Sequence, residues 1–423
     1  MAQLSDDCFA TGRPLMRAAE ALALLAERTG PVVGSEDVAL DEAAGRILAE
    51  DVTSPINVPQ HDNSAVDGYA VFFDDLTAGG PTRLPVTGRT AAGHPLGRAA
   101  KRGEAIRIFT GAPMPDGPDT VMMQEDCRED AGIVTIAPGI KRGSNRRKTG
   151  EDIRAGSSVL RRGTRLRPQE VGLAASIGRT EVAVYRRLRA AVFSTGDEVR
   201  EPGHQLPAGT IYDSNRYTVK AALRQLGCAV TDLGILADDA KAITAALRTA
   251  AGEHDVLLTS GGMSVGEEDH MRRAIETLGK LHFWMLAIKP GRPVALGQIG
   301  AGGGATIPII GLPGNPVAVM VTFLVVARPL LLRLSGATDI TPTHYRVRAG
   351  FDYRKKQDRR EFVRARLSPG ADGIACAEKH GGSGAGVLSS LVGADGLVEL
   401  PEDVTRLEKG AMVDFLPFSE VSL

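Results

Sequence analysis

Leu257-Leu-Thr-Ser-Gly-Gly-Met-Ser-Val-Gly-Glu-Glu-Asp-His270 joins a short apolar run to a glycine-rich turn and then to a helical pattern. Asp255 to Thr259, bounded by turn residues, suits a buried parallel strand, and Asp269 to Leu278 resumes with helical spacing. Between them lie Gly261, Gly262 and Gly266 with Ser260 and Ser264. Glycines at such a turn let backbone N–H groups converge on an anion, and the helix that follows points its positive end at the same place. One reading is a phosphate or oxyanion cradle built from Ser260, Gly261, Gly262 and Ser264 at the carboxyl end of a strand, where open α/β sheets bind ligands. The other is a plain strand-to-helix loop whose acids favour the helix N-terminus.

Around this stretch, residues from about Arg189 to Leu334 alternate strand and helix. Strand patterns lie near Ala190 to Phe193, Ala229 to Ile235, Val256 to Thr259, Phe283 to Ile288, Val294 to Ile299 and Ile307 to Ile310. Helical patterns lie at Asn215 to Leu226, Asp239 to Ala251, Asp269 to Leu278 and Pro316 to Leu334. The alternation predicts a mostly parallel sheet covered on both faces. Asn315 is placed to cap the last helix, with Pro316 in its first turn.

Several of these strands end in an acidic turn: Ser194-Thr-Gly-Asp-Glu198, Ala237-Asp-Asp239 and Gly266-Glu-Glu-Asp269. Carboxyl ends of parallel strands share one edge, so Glu198, Asp238 and Asp269 are expected to converge beside the cradle. Three carboxylates there would suit Mg²⁺, which prefers hard oxygen ligands shared with substrate phosphates. Singly, each acid is equally well explained as a helix cap. Ile288-Lys-Pro-Gly-Arg-Pro293 falls on the same edge, where Lys289 and Arg292 offer charge to an oxyanion, or form an ordinary basic turn. Gly311-Leu-Pro-Gly-Asn-Pro316, with Pro313 and Asn315, is a second glycine turn opening a helix. Gly300-Ala-Gly-Gly-Gly-Ala305 precedes a strand and reads as a flexible hairpin loop, not a dinucleotide fingerprint. The chain has neither a G-x-x-x-x-G-K-[ST] loop nor an H-E-x-x-H helix.

The flanks differ in character. Residues from about Pro14 to Glu50 look helical, in two pieces at Met16 to Glu27 and Leu40 to Ala49. Ser54-Pro-Ile-Asn-Val-Pro-Gln-His-Asp-Asn-Ser-Ala-Val-Asp-Gly-Tyr-Ala-Val71 reads as a polar ligand loop or an Asx-turn network leading into a strand. Arg83 to Ile136 suggests a small β-rich module, clearest at 106–115 and 119–126. Lys141, Arg142, Arg146, Arg147 and Lys148 form a basic run, a solvated face or one bent towards an anion. After Pro342 the helical signal ends, and about eighty residues read as a β-barrel or sandwich.

Composition bounds the rest. The 423 residues suit roughly two to four domains. Fifty lysines and arginines balance 51 acids, so global charge argues against nucleic acid or a membrane surface as partner. Four scattered cysteines without a C-x-x-C pair, and a start lacking signal-peptide regions, lead to the expectation of a cytoplasmic protein. The apolar tract Pro316 to Leu334, interrupted by Arg328 and Pro329, reads as a buried helix rather than a membrane span.

With these residues laid out, the chain resembles the molybdopterin molybdenumtransferase family, the molybdenum-insertion enzymes that include the E domain of gephyrin. The likeness covers essentially the whole chain and is carried by six motifs in order. They are Asn63-Ser-Ala-Val-Asp-Gly-Tyr-Ala-Val71, Thr110-Gly-Ala-Pro-Met-Pro115, Ser194-Thr-Gly-Asp-Glu198, Ser260-Gly-Gly-Met-Ser-Val-Gly266, Lys289-Pro-Gly-Arg-Pro293 and Gly311-Leu-Pro-Gly-Asn-Pro316. The resemblance implies an α/β multidomain fold and an elongated homodimer. Its subunit would comprise a split helical linker domain (14–52 and 147–186), a β-rich module (53–146), a three-layer αβα domain with a mostly parallel sheet (187–335) and a C-terminal β-barrel (340–423).

It also implies that adenylylated molybdopterin and molybdate give the molybdenum cofactor with release of AMP in a Mg²⁺-dependent step. Family positions fall on Asp67, Thr110, Asp152, Glu198, Asp238, Asp269 and Lys289, and on Arg147, Arg364 and Ser383. Those in the first two domains would reach the α/β cleft of the partner subunit. Met285 stands where some members carry a second lysine, and the insertion around Gly302 is unusual. Two alternatives share parts of this likeness: an enzyme that adenylylates molybdopterin, and a scaffold of the gephyrin E-domain type without catalysis.

Overall fold

The computed structural model describes residues 15–261, 270–291, 293–370, 372–382 and 384–421. Chain segments far apart in sequence share the first core. Ser35–Ala39 pairs antiparallel with Glu181–Tyr185, and Val52–Thr53 with Ser158–Leu160. Val38, Leu48 and Val52 pack there against Ile153, Leu160, Leu166, Ile177 and Val184. The helix expected over 40–49 is only Leu40–Ala43. Gly45 then turns the chain at φ 78°, a conformation glycine adopts without steric cost, and Ile47 and Leu48 bridge to Arg165 and Val184 instead. Helix Ala18–Arg28 packs elsewhere: Ala18 and Ala21 belong to the core that holds Leu330 and Leu331.

The β-rich module is a six-stranded sheet in the order Thr120–Met123, Gly68–Val71, Ala105–Ile108, Thr82–Thr90, Ile133–Ile136, Cys127–Asp130. Its two strands expected at 106–115 and 119–126 are shorter than their apolar patterns, because Thr110 and Gly111 form a turn after the first and Gln124–Asp126 a 3-10 helix after the second.

In the α/β region the sheet order is Ala229–Leu236, Arg189–Thr195, Val256–Ser260, Ala305–Leu312, Pro293–Gly302, Gly279–Met285. The first four strands are parallel; Pro293–Gly302 runs antiparallel to both of its neighbours, Gly279–Met285 and Ala305–Leu312, and a glycine hairpin turn between Gly302 and Ala305 joins it to the latter. Successive strand residues face opposite sides. Ala190, Val192 and Leu258 face a core with Val219 and Leu223 of helix Asn215–Gln225. Ala191, Phe193 and Leu257 face another, with Ile243 and Leu247 of helix Ala240–Glu253 and Ile275 of helix His270–Leu278. Each of the buried valine, leucine, isoleucine and phenylalanine side chains contributes about 1.5–3 kcal/mol of transfer free energy, enough to fix which face the strand presents to each core. Residues 316–334 run as Pro316–Thr322, a π-helical segment Phe323–Ala327, and Arg328–Leu334. Among the described residues this is the one helix long and apolar enough to cross a membrane, and 83% of it is buried inside the protein, as a core helix is.

The C-terminal region closes into a barrel rather than a sandwich. Arg360–Ser368 pairs with Cys376–Lys379 and Gly396–Leu400, Tyr345–Ala349 pairs with Cys376–Lys379 and Met412–Pro417, and Met412–Pro417 returns to Gly396–Leu400. Closure leaves no free edge within that ring. One further pairing ties the barrel to the α/β sheet: Ile288 and Lys289 run parallel to Arg360 and Glu361.

Candidate active site

Strand register brings the acidic and glycine turns to one rim. Thr195 lies opposite Leu236, Ser194 opposite Ser260, and Ser260 opposite Leu312. Past those ends come Glu198, Asp238, Gly261 and the Pro313–Asn315 turn. A cleft of about 350 Å³ opens there, lined by Thr195, Glu198, Ser260, Gly261, Gly314 and Asn315 among others. Gly261 holds φ 84°, which frees the turn to bend across the rim. Thr195 Oγ1 and Asn215 Oδ1 are buried at this cleft without a hydrogen-bond partner among the described residues. Unsatisfied buried polar atoms are costly unless a ligand or water completes them.

The acids divide their work. Asp239 caps helix Ala240–Glu253, accepting from the Ala242 N–H at 2.8 Å, so the cap explanation belongs to it and not to Asp238. Neither Asp238 nor Glu198 has a side-chain hydrogen bond or ion pair among the described residues. Both are exposed, and the Glu198 carboxylate folds back over Gly196. No group of three or more metal-ligating side chains gathers among the described residues, and Asp269, the expected third acid, lies outside them. Gly262, Ser264, Arg292 and Ser383 also lie outside the described residues.

Asn215, read from sequence only as a helix start, turns out to line the cleft with Asp213 and Ser214. Its Nδ2 donates to Gly314 O at 2.7 Å, tying the helix to the second glycine turn. Arg216 beside it is 2% exposed and donates to Asp213, Asp232 and Glu201. The Asp-Ser-Asn run before an amphipathic helix was the available signal, and it looks the same as an ordinary cap. Asn315 does occupy the N-cap of the next helix, but its side chain makes no capping bond.

A second cavity, of about 380 Å³, adjoins the first: Gly314 and Asn315 line both. Its other walls include Lys289, Pro313, Tyr353, Glu361, Arg364, Lys379 and His380. Arg364 is 5% exposed, donates to Gly382 O and Gly384 O, and leaves Nε without a partner among the described residues. Burial pushes its pKa down from the ordinary arginine value. Lys289 Nζ lies 3.2 Å from Glu361 Oε2. Burial would raise the Glu361 carboxyl, but hydrogen bonds from Arg359, Tyr353 and Lys289 outweigh it and hold the pKa below its usual value. Tyr353, Glu361, Lys379 and His380 line the cavity without having been singled out by the sequence pattern.

The expected residues of the first two regions gather on a third surface. Asp67 Oδ1 accepts from Thr110 N and Oγ1, both at 2.8 Å, and these bonds, the backbone one foremost, lower the Asp67 pKa. Arg147 lies opposite Asn63 in a two-residue ladder and pairs with Glu151 at 2.8 Å. Asp152 is exposed and its N–H donates to Val58 O. Beside them is a cavity of about 900 Å³ lined by His61, Asp62, Asn63, Gly111 and Arg146. None of its lining residues is shared with the other two cavities.

Three family models match this chain in order: "MoeA N-terminal region (domain I and II)" over residues 16–178, "Probable molybdopterin binding domain" over 191–333, and "MoeA C-terminal region (domain IV)" over 346–418. A molybdopterin molybdenumtransferase of Haemophilus influenzae is 39% identical over 389 residues, 92% of this chain and 95% of that protein. Molybdopterin molybdenumtransferase 2 of Mycobacterium tuberculosis is 34% identical over 386 residues, 89% and 93% of the two chains. The solved molybdopterin biosynthesis MoeA protein of Pyrococcus horikoshii OT3 superposes with a TM-score of 0.81 at 29% identity, covering 96% of this chain and 100% of that one. By domain order, by identity over nearly its whole length and by fold, the chain belongs to the MoeA family of molybdopterin molybdenumtransferases.

Proposed function

We propose that this chain is a molybdopterin molybdenumtransferase that takes adenylylated molybdopterin and molybdate and releases AMP as molybdenum is inserted. The observation that carries this is the shared wall at Gly314 and Asn315, with the Glu198 carboxylate on one side and buried or half-exposed cations on the other. Phosphates fit the first cavity, where Ser260, Gly261, Thr195 and Asn215 offer hydrogen-bonding groups at a strand edge. A tetrahedral dianion fits the second, where Lys289 and the unpartnered Arg364 Nε offer charge-assisted donors. Asn315, touching both, keeps the two ligands adjacent, so that reaction needs no diffusion between sites.

Glu198 and Asp238 present hard carboxylate oxygens not engaged by other described residues, a pair that would suit Mg²⁺, and Asp269 is assigned as a third ligand on motif alone. Bound there, the ion would neutralise charge on the phosphoanhydride and on the departing AMP. The role of Asp67, Thr110, Arg147 and Asp152 is to close the cleft of a partner subunit in an elongated homodimer. In that assembly each subunit divides into the split linker (14–52, 147–186), β-rich module (53–146), three-layer αβα domain (187–335) and barrel (340–423), and works in the cytoplasm. Ser264, Arg292 and Ser383 are assigned to substrate binding on motif alone.

The test is AMP release from adenylylated molybdopterin with and without molybdate. Release that rises with molybdate and is lost in Glu198→Gln supports the assignment; ATP-dependent adenylylation without need of molybdate would replace it with the adenylyltransferase reading.

A further inference from the structure

We infer that Glu361, assisted by Tyr353, is a positioning residue that presents Lys289 to the incoming oxyanion while leaving the lysine charge available. The inference deepens the reading of the second cavity as an oxyanion site and rests on it.

Glu361 is 1% exposed, so its carboxylate must be fully partnered. Arg359 occupies Oε1 with two hydrogen bonds, at 2.7 and 3.1 Å. Oε2 accepts from Tyr353 Oη at 2.9 Å and from Lys289 Nζ at 3.2 Å. Arg359 therefore already balances the carboxylate charge. The Lys289 ammonium is anchored by a long bond, is 43% exposed and lines the cavity, so the Arg359–Glu361–Lys289 cluster presents one net positive charge there.

Backbone pairing reinforces the side-chain anchor, because Lys289 and Glu361 are direct partners in the parallel ladder that joins the α/β domain to the barrel. A lysine stem otherwise samples many rotamers, and fixing it before the ligand arrives removes that entropic cost from binding. Tyr353 does two things here. Its hydroxyl holds Oε2, and its ring sits 5.5 Å from Lys379 Nζ, another cation on the cavity wall. Burial and the Glu361 bond push the tyrosine up to about 12, so it stays a donor at neutral pH. The cavity is thus built for a compact dianion, with Lys289, Arg364 and Lys379 around it and one carboxylate whose charge is matched from behind.

The experiment titrates inorganic molybdate into the full-length protein and measures KM for molybdate and for adenylylated molybdopterin separately. Glu361→Gln and Tyr353→Phe are each expected to weaken molybdate binding and raise its KM about tenfold, with the other KM changed less than about twofold. In a Lys289→Ala background, Glu361→Gln should add no further loss, because the pair acts as one unit. Tyr353→Phe leaves the buried Arg359 pair intact and gives the answer if Glu361→Gln does not fold. Unchanged or tighter molybdate binding in the folded variants overturns the inference, as does a full Glu361→Gln loss persisting without Lys289. If Lys289→Ala itself leaves molybdate binding unchanged, the oxyanion reading of the cavity fails first and the inference falls with it.

Discussion

Glu198 and Asp238 follow the ends of two neighbouring parallel strands, just past Thr195 and Leu236, which lie opposite each other in register. Neither carboxylate is tied to another described side chain. Glu198→Gln and Asp238→Asn should therefore leave the thermal midpoint nearly unchanged, within the roughly 0.5 kcal/mol typical of exposed sites. AMP release should fall by about a hundredfold or more if each holds charge in the transition state. Parallel melting and turnover assays check both halves; a large loss of stability would make these acids structural.

If Asp67 and Thr110 serve a partner subunit, defects on the two surfaces should complement. Mixing Asp67→Asn with Glu198→Gln subunits builds heterodimers in which one of two sites is intact. With random exchange, about a quarter of wild-type activity should return, as an isologous dimer requires. No recovery after demonstrated exchange would place all these residues in one subunit's site or none.

Arg216 anchors the helix that carries Asn215 into the cleft. It is buried between Asp213, Asp232 and Glu201, with Asp213 at 5% exposure. Arg216→Met strands Asp213 without its cation, a change that costs about 3–5 kcal/mol at buried pairs. Urea unfolding should show the midpoint falling at constant m.

The β-rich module carries an acid-sensitive contact. Hydrogen bonds from Arg98, the largest cause, with others from Thr87 and Lys101, hold the Glu104 carboxyl at about 2. An unfolded glutamate titrates near about 4.3, so this contribution is complete above that pH and is lost as pH falls towards 2. Thermal midpoints of wild type and Glu104→Gln should diverge most near neutrality and converge in acid.

Much of the α/β sheet could be read from local pattern, because strand, glycine turn and helix follow each other within a few dozen residues. The hairpin at Gly302 and the start of helix Pro316–Thr322 were legible for the same reason. The short helix at Leu40–Ala43 was not: an apolar spacing that suits a helix also suits residues entering isolated bridges, and tertiary contact decided between them. Adjacent acids such as Asp238 and Asp239 look alike in sequence, and only the capping bond separates them. Least legible was the junction of Lys289 with Glu361. Their partnership spans 72 positions, and a glutamate opening a strand normally reads as a solvent-facing residue. The side chains that face the cavities from the barrel carry no local signature, because closure of the ring determines which face is inside.

The most direct measurement is anomalous diffraction at the molybdenum edge from crystals containing adenylylated molybdopterin and molybdate. The account predicts a molybdenum peak in the cavity between Lys289 and Arg364, with the ligand phosphates against Ser260, Gly261 and Asn215. A peak away from that cavity, or phosphates bound elsewhere than the rim carrying Glu198, would contradict it.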